Sequence, residues 1–133
     1  MADLLYVDTS ALLRRALGHS DSERVARLTR DVVERGGLLV SSRLLWLEVR
    51  RTLVRERLSG NDISGGVTEA LAYISELRVT DQVWDAAHAI EAHIRTLDAL
   101  HVATCLVAGA ALLSFNQNMR SVARTLGVAV VDL

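Results

Sequence analysis

A chain of 133 residues, half of them hydrophobic, is sized for one compact domain around one core, and it is too apolar to be disordered. A formal net charge of −1 excludes the global electrostatic signature of a nucleic-acid binder. Its 15 lysine-or-arginine positions are all arginine, a residue suited to bidentate phosphate contacts, although a GC-rich genome produces the same bias. The single cysteine, Cys105, excludes an intrachain disulfide and fits a reducing compartment.

In chain order, Leu4–Asp8 reads as a buried strand, and Thr9 or Ser10 caps a helix to about Leu17. Gly18-His19-Ser20 is a loop; Ser20, Asp21 or Ser22 caps a second helix to about Arg35, which Gly36-Gly37 stops. Leu38–Val40 is the second strand, and Ser41 or Ser42 caps a third helix to about Leu58. After Ser59-Gly60, Asn61 or Asp62 starts a helix to about Leu77, weakened in its first turns by Gly65-Gly66. Arg78–Thr80 is the expected third strand. Asp81 caps a helix to about Arg95, and Thr96 caps the next, to about Ala108, with Cys105 as a buried thiol. Ala110–Ser114 is the fourth strand, Asn116 caps a helix to about Leu126, and Val128–Val131 is the last strand.

This alternation predicts a parallel sheet of about four to five strands covered by helices on both faces, in a single domain over residues 1–133. There is no proline, repeat or linker. Residues 2 to 8 carry Asp3 and Asp8 and no basic n-region, and the apolar stretch Ala99–Phe115 is shorter than the ~20 residues of a spanning helix. A cytoplasmic protein without membrane contact is expected.

Three carboxylates break apolar patterns. Asp8 ends Leu4-Leu5-Tyr6-Val7, Glu48 lies within Leu44-Leu45-Trp46-Leu47-Glu48-Val49, and Asp98 opens Leu97-Asp98-Ala99-Leu100-His101-Val102-Ala103. A carboxylate in such surroundings must be paired, protonated or bound to a cation. Each also has a plainer reading: Asp8 as a turn former, Glu48 as the i+3 partner of Arg51, Asp98 as an acid in a first helical turn. Thr9-Ser10 can supply the cap beside Asp8, which leaves Asp8 free. In parallel α/β sheets, sites form beyond the carboxyl ends of the strands. Asp8, Ser114 and Asn116 belong to that edge, and Glu48 can reach it, so the acids can converge on a hard cation such as Mg²⁺ or Mn²⁺. Ser114 and Asn116 can add neutral oxygens. His101 reads as a packed core residue, and His19, His88 and His93 have no metal-ligand spacing. Asp3 and Asp132 read as solvated ends. No GxGxxG, GxxxxGK[ST] or GxSxG motif is present. Arg14 and Arg15 follow Asp8, and Arg43 starts the arginine-rich helix that carries Glu48.

Tyr6-Val7-Asp8-Thr9-Ser10-Ala11-Leu12-Leu13 resembles the opening of PIN-domain ribonucleases. Ser41–Arg51 is similar to their second acidic motif, Leu97–Thr104 to their third, and Leu113–Met119 to their fourth, followed by Ala123-Arg124-Thr125-Leu126-Gly127-Val128. The resemblance covers essentially the whole chain in order and is greatest to the VapC toxins of bacterial VapBC toxin–antitoxin pairs. It implies a PIN-like three-layer α/β/α sandwich and a metal-dependent endoribonuclease. Asp8, Glu48 and Asp98 would hold Mg²⁺ or Mn²⁺, Asn116 would complete the catalytic set, and Ser114, Thr9 and Ser10 would support it. Arg14, Arg15 and Arg43 would hold RNA phosphates. It also implies a homodimer and a VapB-type antitoxin helix lying in an apolar groove, to which residues 44–47 and 53–54 could contribute unless they are core. The family has Asp where this chain has Asn116, so the site is one negative charge short. A PIN-fold binding module with weakened turnover, acting through its antitoxin complex, is the alternative. A DNA flap nuclease would need helical insertions for which this chain has no room.

Overall fold

The structure, a computed structural model, describes residues 3–18 and 20–133; His19 of the expected loop lies outside them. Among the described residues four strands, β1 (Leu4–Val7), β2 (Leu38–Ser42), β3 (Ile74–Leu77) and β4 (Ala111–Leu113), pair in parallel in the order β3-β2-β1-β4. The helices are α1 (Thr9–Ala16), α2 (Ser22–Glu34), α3 (Arg43–Leu58), α4 (Ser64–Leu71), α5 (Asp81–His88), α6 (Thr96–Ala108) and α7 (Gln117–Thr125).

Strand side chains alternate between the two faces. Leu5, Val7, Leu39 and Leu113 join one core with α1–α4, through residues such as Ala11, Val25, Leu45 and Val67. Tyr6, Val40 and Leu112 face the other way, into a second core built with Val102 and Cys105 of α6 and Met119 and Ala123 of α7. Both sheet faces are therefore apolar, and the result is the expected three-layer sandwich. Val83 of α5 packs on Leu100 and Ala103 of α6 in a smaller third cluster.

From β1 the chain steps outward through β2 to β3, then returns to place β4 on the opposite side of β1. The carboxyl ends of β1 and β4 thus flank the topological switch point, where a crevice opens in folds of this class.

Three expectations of extent need correction. The third strand is Ile74–Leu77, not Arg78–Thr80, because the helix before it ends at Leu71. As an edge strand it exposes Ser75 and Glu76, so it lacks the apolar run that marks a buried strand. The helix from Asp81 ends at His88 rather than about Arg95: Ile90 and Ile94 in the following loop turn in to the second core, and that packing overrides helix propensity. The last strand shrinks to one bridge, Leu112 to Val130. There the Leu112 amide donates to the Ala129 carbonyl (2.8 Å) and the Val131 amide to the Leu112 carbonyl (2.9 Å). The buried Arg120 fastens this segment, its Nη1 donating to the carbonyls of Ser114 (3.0 Å) and Val131 (2.9 Å). No helix among the described residues is long and apolar enough to cross a membrane.

Candidate functional site

Asp8 follows the last residue of β1 and is buried. It is itself the N-cap of α1: Oδ1 accepts from the Ala11 amide (2.9 Å). The expectation that Thr9 or Ser10 caps this helix is therefore wrong, because Asp8 carries the extended N-cap backbone and Thr9 is already helical. Thr9 and Ser10 serve the acids instead. Ser10 Oγ donates to Asp8 (2.8 Å to Oδ1), and Ser114 Oγ, across the switch point, donates to Oδ2 at 2.6 Å. The Phe115 and Asn116 amides donate to Ser10 Oγ (2.9 Å) and Ser114 Oγ (3.0 Å), which orients both hydroxyls. Burial pushes the Asp8 carboxyl above the ordinary aspartate range, against the opposing hydrogen bonds from Ser114, Ala11 and Ser10.

Glu48 lies in the second turn of α3 and points back to the switch point rather than pairing with Arg51. Its Oε1 accepts from Thr9 Oγ1 (2.9 Å) and lies 2.5 Å from Nε2 of His101. Burial alone would raise its pKa, but the His101 hydrogen bond and charge, with the Thr9 bond, outweigh it and hold the carboxyl below the usual range. Asp98, half-buried in the first turn of α6, is shifted up, first by burial and also by repulsion from Glu48, with His101 opposing. His101 follows Asp98 by three residues on α6, so its contact with Glu48 brings α3 to the helix face that carries Asp98.

Asn116 is the N-cap of α7, its Oδ1 accepting from the Met119 amide (3.0 Å), as the sequence predicts. Its Nδ2 also donates weakly to Asp98 Oδ2 at 3.4 Å. Asp8, Glu48, Asp98, Asn116, Ser114, Thr9 and Ser10 thus form one hydrogen-bonded and electrostatically coupled set at the carboxyl edge of the sheet.

The arginines are less committed to this edge. Arg14 pairs with Asp21 (2.7 Å) and lies over the Phe115 ring, 4.7 Å from its centroid. Arg43 is largely exposed and pairs loosely with Glu76 (3.4 Å). Arg15 makes no ion pair among the described residues.

Sequence reasoning missed Tyr6 and His101. His101 is buried, as expected, but it is not merely packed: Nδ1 lies 2.6 Å from the Tyr6 hydroxyl while Nε2 reaches Glu48. The usable signal was the i, i+3 spacing of Asp98 and His101, which puts both on one helix face.

The PIN domain family matches residues 5–125. The chain belongs to that family. Ribonuclease VapC46 of Mycobacterium tuberculosis (strain ATCC 25618 / H37Rv) is 34% identical over 131 residues, covering 96% of this chain and 95% of the relative. The VapBC2 structure from Rickettsia felis, bound to a DNA fragment from their promoter, superposes with a TM-score of 0.78 at 10% identity, covering 96% of this chain and 97% of that one. PAE2754 from Pyrobaculum aerophilum superposes with a TM-score of 0.69 at 20% identity, covering 98% and 85%. At these identities the two structures speak for the PIN fold alone.

Proposed function

We propose that this chain is a divalent-metal-dependent endoribonuclease that hydrolyses RNA phosphodiester bonds, with Asp8, Glu48 and Asp98 as its acidic centre and a VapB-type antitoxin as its inhibitor. The observation that carries this reading is the hydrogen-bond linkage at the switch point of a PIN fold, which ties Asp8 through Ser114 and Asn116 to Asp98 and ties Glu48 to Thr9 beside Asp8. A ribonuclease relative aligned over nearly the whole chain supports it.

The residues fit Mg²⁺ or Mn²⁺. Burial holds Asp8 and Asp98 above the ordinary carboxylate range, and neither has a basic side chain in ion-pair contact among the described residues, so a bound cation would offset their charge. No three His, Cys, Asp or Glu side chains among the described residues are disposed to hold one ion together. The donors on offer are carboxylate and hydroxyl oxygens, the hard ligands that Mg²⁺ and Mn²⁺ take alongside retained waters. When bound, the cation activates the attacking water and offsets charge on the phosphate and leaving oxygen.

The chain's own groups do the positioning. Ser10, Ser114 and the Ala11 amide fix both oxygens of Asp8. Thr9 and His101 occupy Oε1 of Glu48, and Oε2 receives no protein hydrogen bond among the described residues. Oε2 can therefore hold or accept a proton from a water on the substrate side. Arg14, Arg15 and Arg43 are the phosphate-holding candidates. Leu44, Trp46 and Leu47 line an open groove of about 890 Å³ with Trp84 and Leu97, an apolar surface of the kind a homodimer or antitoxin helix needs. Leu45 is fully buried, and Leu53 packs on the first core, so these two belong to the interior.

The test is cleavage of RNA by the purified chain with Mg²⁺, with Mn²⁺ and with chelator. Asp8→Asn and Asp98→Asn should each abolish cleavage in a folded protein. Cleavage that survives the chelator, or an active Asp8→Asn variant, overturns the reading. If the wild type does not cleave but Asn116→Asp does, the weakened binding module is the better description.

A further inference from the structure

A hydrogen-bond chain runs from the sheet interior to the acidic centre. The Ser42 amide donates to the Tyr6 hydroxyl (3.2 Å), the hydroxyl lies 2.6 Å from His101 Nδ1, and His101 Nε2 lies 2.5 Å from Glu48 Oε1. Tyr6 and His101 are 0% and 1% exposed, so water cannot replace a missing partner. Their rings meet edge-on at 75°.

Only one proton arrangement of a neutral ring satisfies this chain. The Tyr6 oxygen already accepts from Ser42, and its own hydrogen is free to donate to Nδ1. Nδ1 is then the acceptor, and the ring proton sits on Nε2, where it donates to the carboxylate. With the proton on Nδ1 instead, a nitrogen lone pair would face a carboxylate oxygen at 2.5 Å, which is repulsive. We propose that His101 is a positioning residue, locked by Tyr6 as the Nε2–H tautomer, and that this lock fixes the Glu48 carboxylate so that Oε2 faces the reaction. The inference rests on the proposed metal-dependent ribonuclease site. It also explains why a tyrosine occupies the strand that leads to Asp8, and why a histidine shares the helix of Asp98. The chain couples β1, α6 and α3, the elements that carry the three acids.

Tyr6→Phe is the decisive variant, because it deletes one hydroxyl and touches no acid. At one fixed pH, nitrogen-15 spectra of histidine-labelled, metal-free protein should show His101 protonated at Nε2 alone. Tyr6→Phe should populate the other tautomer or the charged ring. Partners that orient a ligand-bearing group are worth roughly 10–100-fold in metal affinity or activity. Mn²⁺ affinity by calorimetry, or kcat for RNA cleavage, should therefore fall by about that factor in Tyr6→Phe, with KM for RNA little changed. His101→Leu should behave the same way, and His101→Gln, which keeps a donor towards Glu48, should recover part of the loss. An Nδ1–H tautomer in the wild type overturns the inference, as does a folded Tyr6→Phe variant with wild-type Mn²⁺ affinity and kcat. If Asp8→Asn is dead while Tyr6→Phe is unaffected, this inference alone fails. If the wild type neither binds Mn²⁺ nor cleaves RNA, the site reading fails with it.

Discussion

Asn116→Asp is the most informative single change, because it restores the missing charge 3.4 Å from an existing carboxylate oxygen. A new carboxylate oxygen in place of Nδ2 would repel Asp98 by roughly 1 kcal/mol in a water-like medium and roughly 5 kcal/mol at an effective dielectric of 20. Asp98 is half-buried and can take up a proton, which keeps the cost near the lower figure. Aspartate is as good an N-cap as asparagine, and its charge at the start of α7 returns roughly 0.3–1 kcal/mol through the helix dipole. The metal-free protein should therefore lose at most about 0.7 kcal/mol, a Tm drop of about 3 °C or less for a domain of this size. Saturating Mn²⁺ should reverse the deficit, and Mn²⁺ should bind on the order of tenfold more tightly, equivalent to about 1.4 kcal/mol. Thermal melts with and without metal, together with calorimetric titration, measure all three quantities. An unchanged metal-free Tm with equal Mn²⁺ affinities would show that Asn116 only caps α7 and would remove it from the site.

The metal-free protein should lose stability as pH rises out of the acid range. Asp8 and Asp98 are raised in the folded state, so their stabilising contribution is full below the ordinary aspartate value of about 3.9 and is lost as pH climbs through their folded values. Glu48 is lowered and has the opposite sign, losing its contribution as pH falls through its folded value. Melts against pH should show the loss disappear with saturating Mn²⁺; a metal-free profile that rises throughout would contradict the two aspartate shifts. Gly66→Ala should destabilise by about 1–3 kcal/mol, because a Cβ there would sit 2.4 Å from the Ala16 carbonyl oxygen at the end of α1. Gly65→Ala meets open space and should stabilise by roughly 0.4–1 kcal/mol, so equal urea midpoints for the pair would refute the close α1–α4 contact. Leu45→Ala, at a fully buried position of the first core, should cost about 2–5 kcal/mol by urea unfolding.

The layers were legible in the sequence because both sheet faces are buried, so strands such as Leu4–Val7 read as unbroken apolar runs. The acids were legible for the related reason that a carboxylate inside such a run needs a partner. β3 was not, since an edge strand with two exposed polar residues looks like the end of a helix. The role of Asp8 was only half legible: one carboxylate caps α1 and serves the acidic centre, and assigning the cap to Thr9 or Ser10 hid that economy. His101 carried too little local signal. Its meaning depends on Tyr6, 95 positions away, and on Glu48, 53 positions away, and only tertiary structure supplies either neighbour.

The short tail beside β4 bears on how this molecule can meet other molecules. A bare sheet border invites another chain to add a strand. At Leu112 both outward backbone groups are already bonded to residues 129 and 131, and Arg120 pins the same segment from within. The opposite border is the short β3, which presents the exposed Glu76 and is followed at once by Arg78. Strand-to-strand growth into larger aggregates is discouraged at both ends. Lasting association is thereby steered to the helical surfaces, where side chains rather than backbone choose the partner.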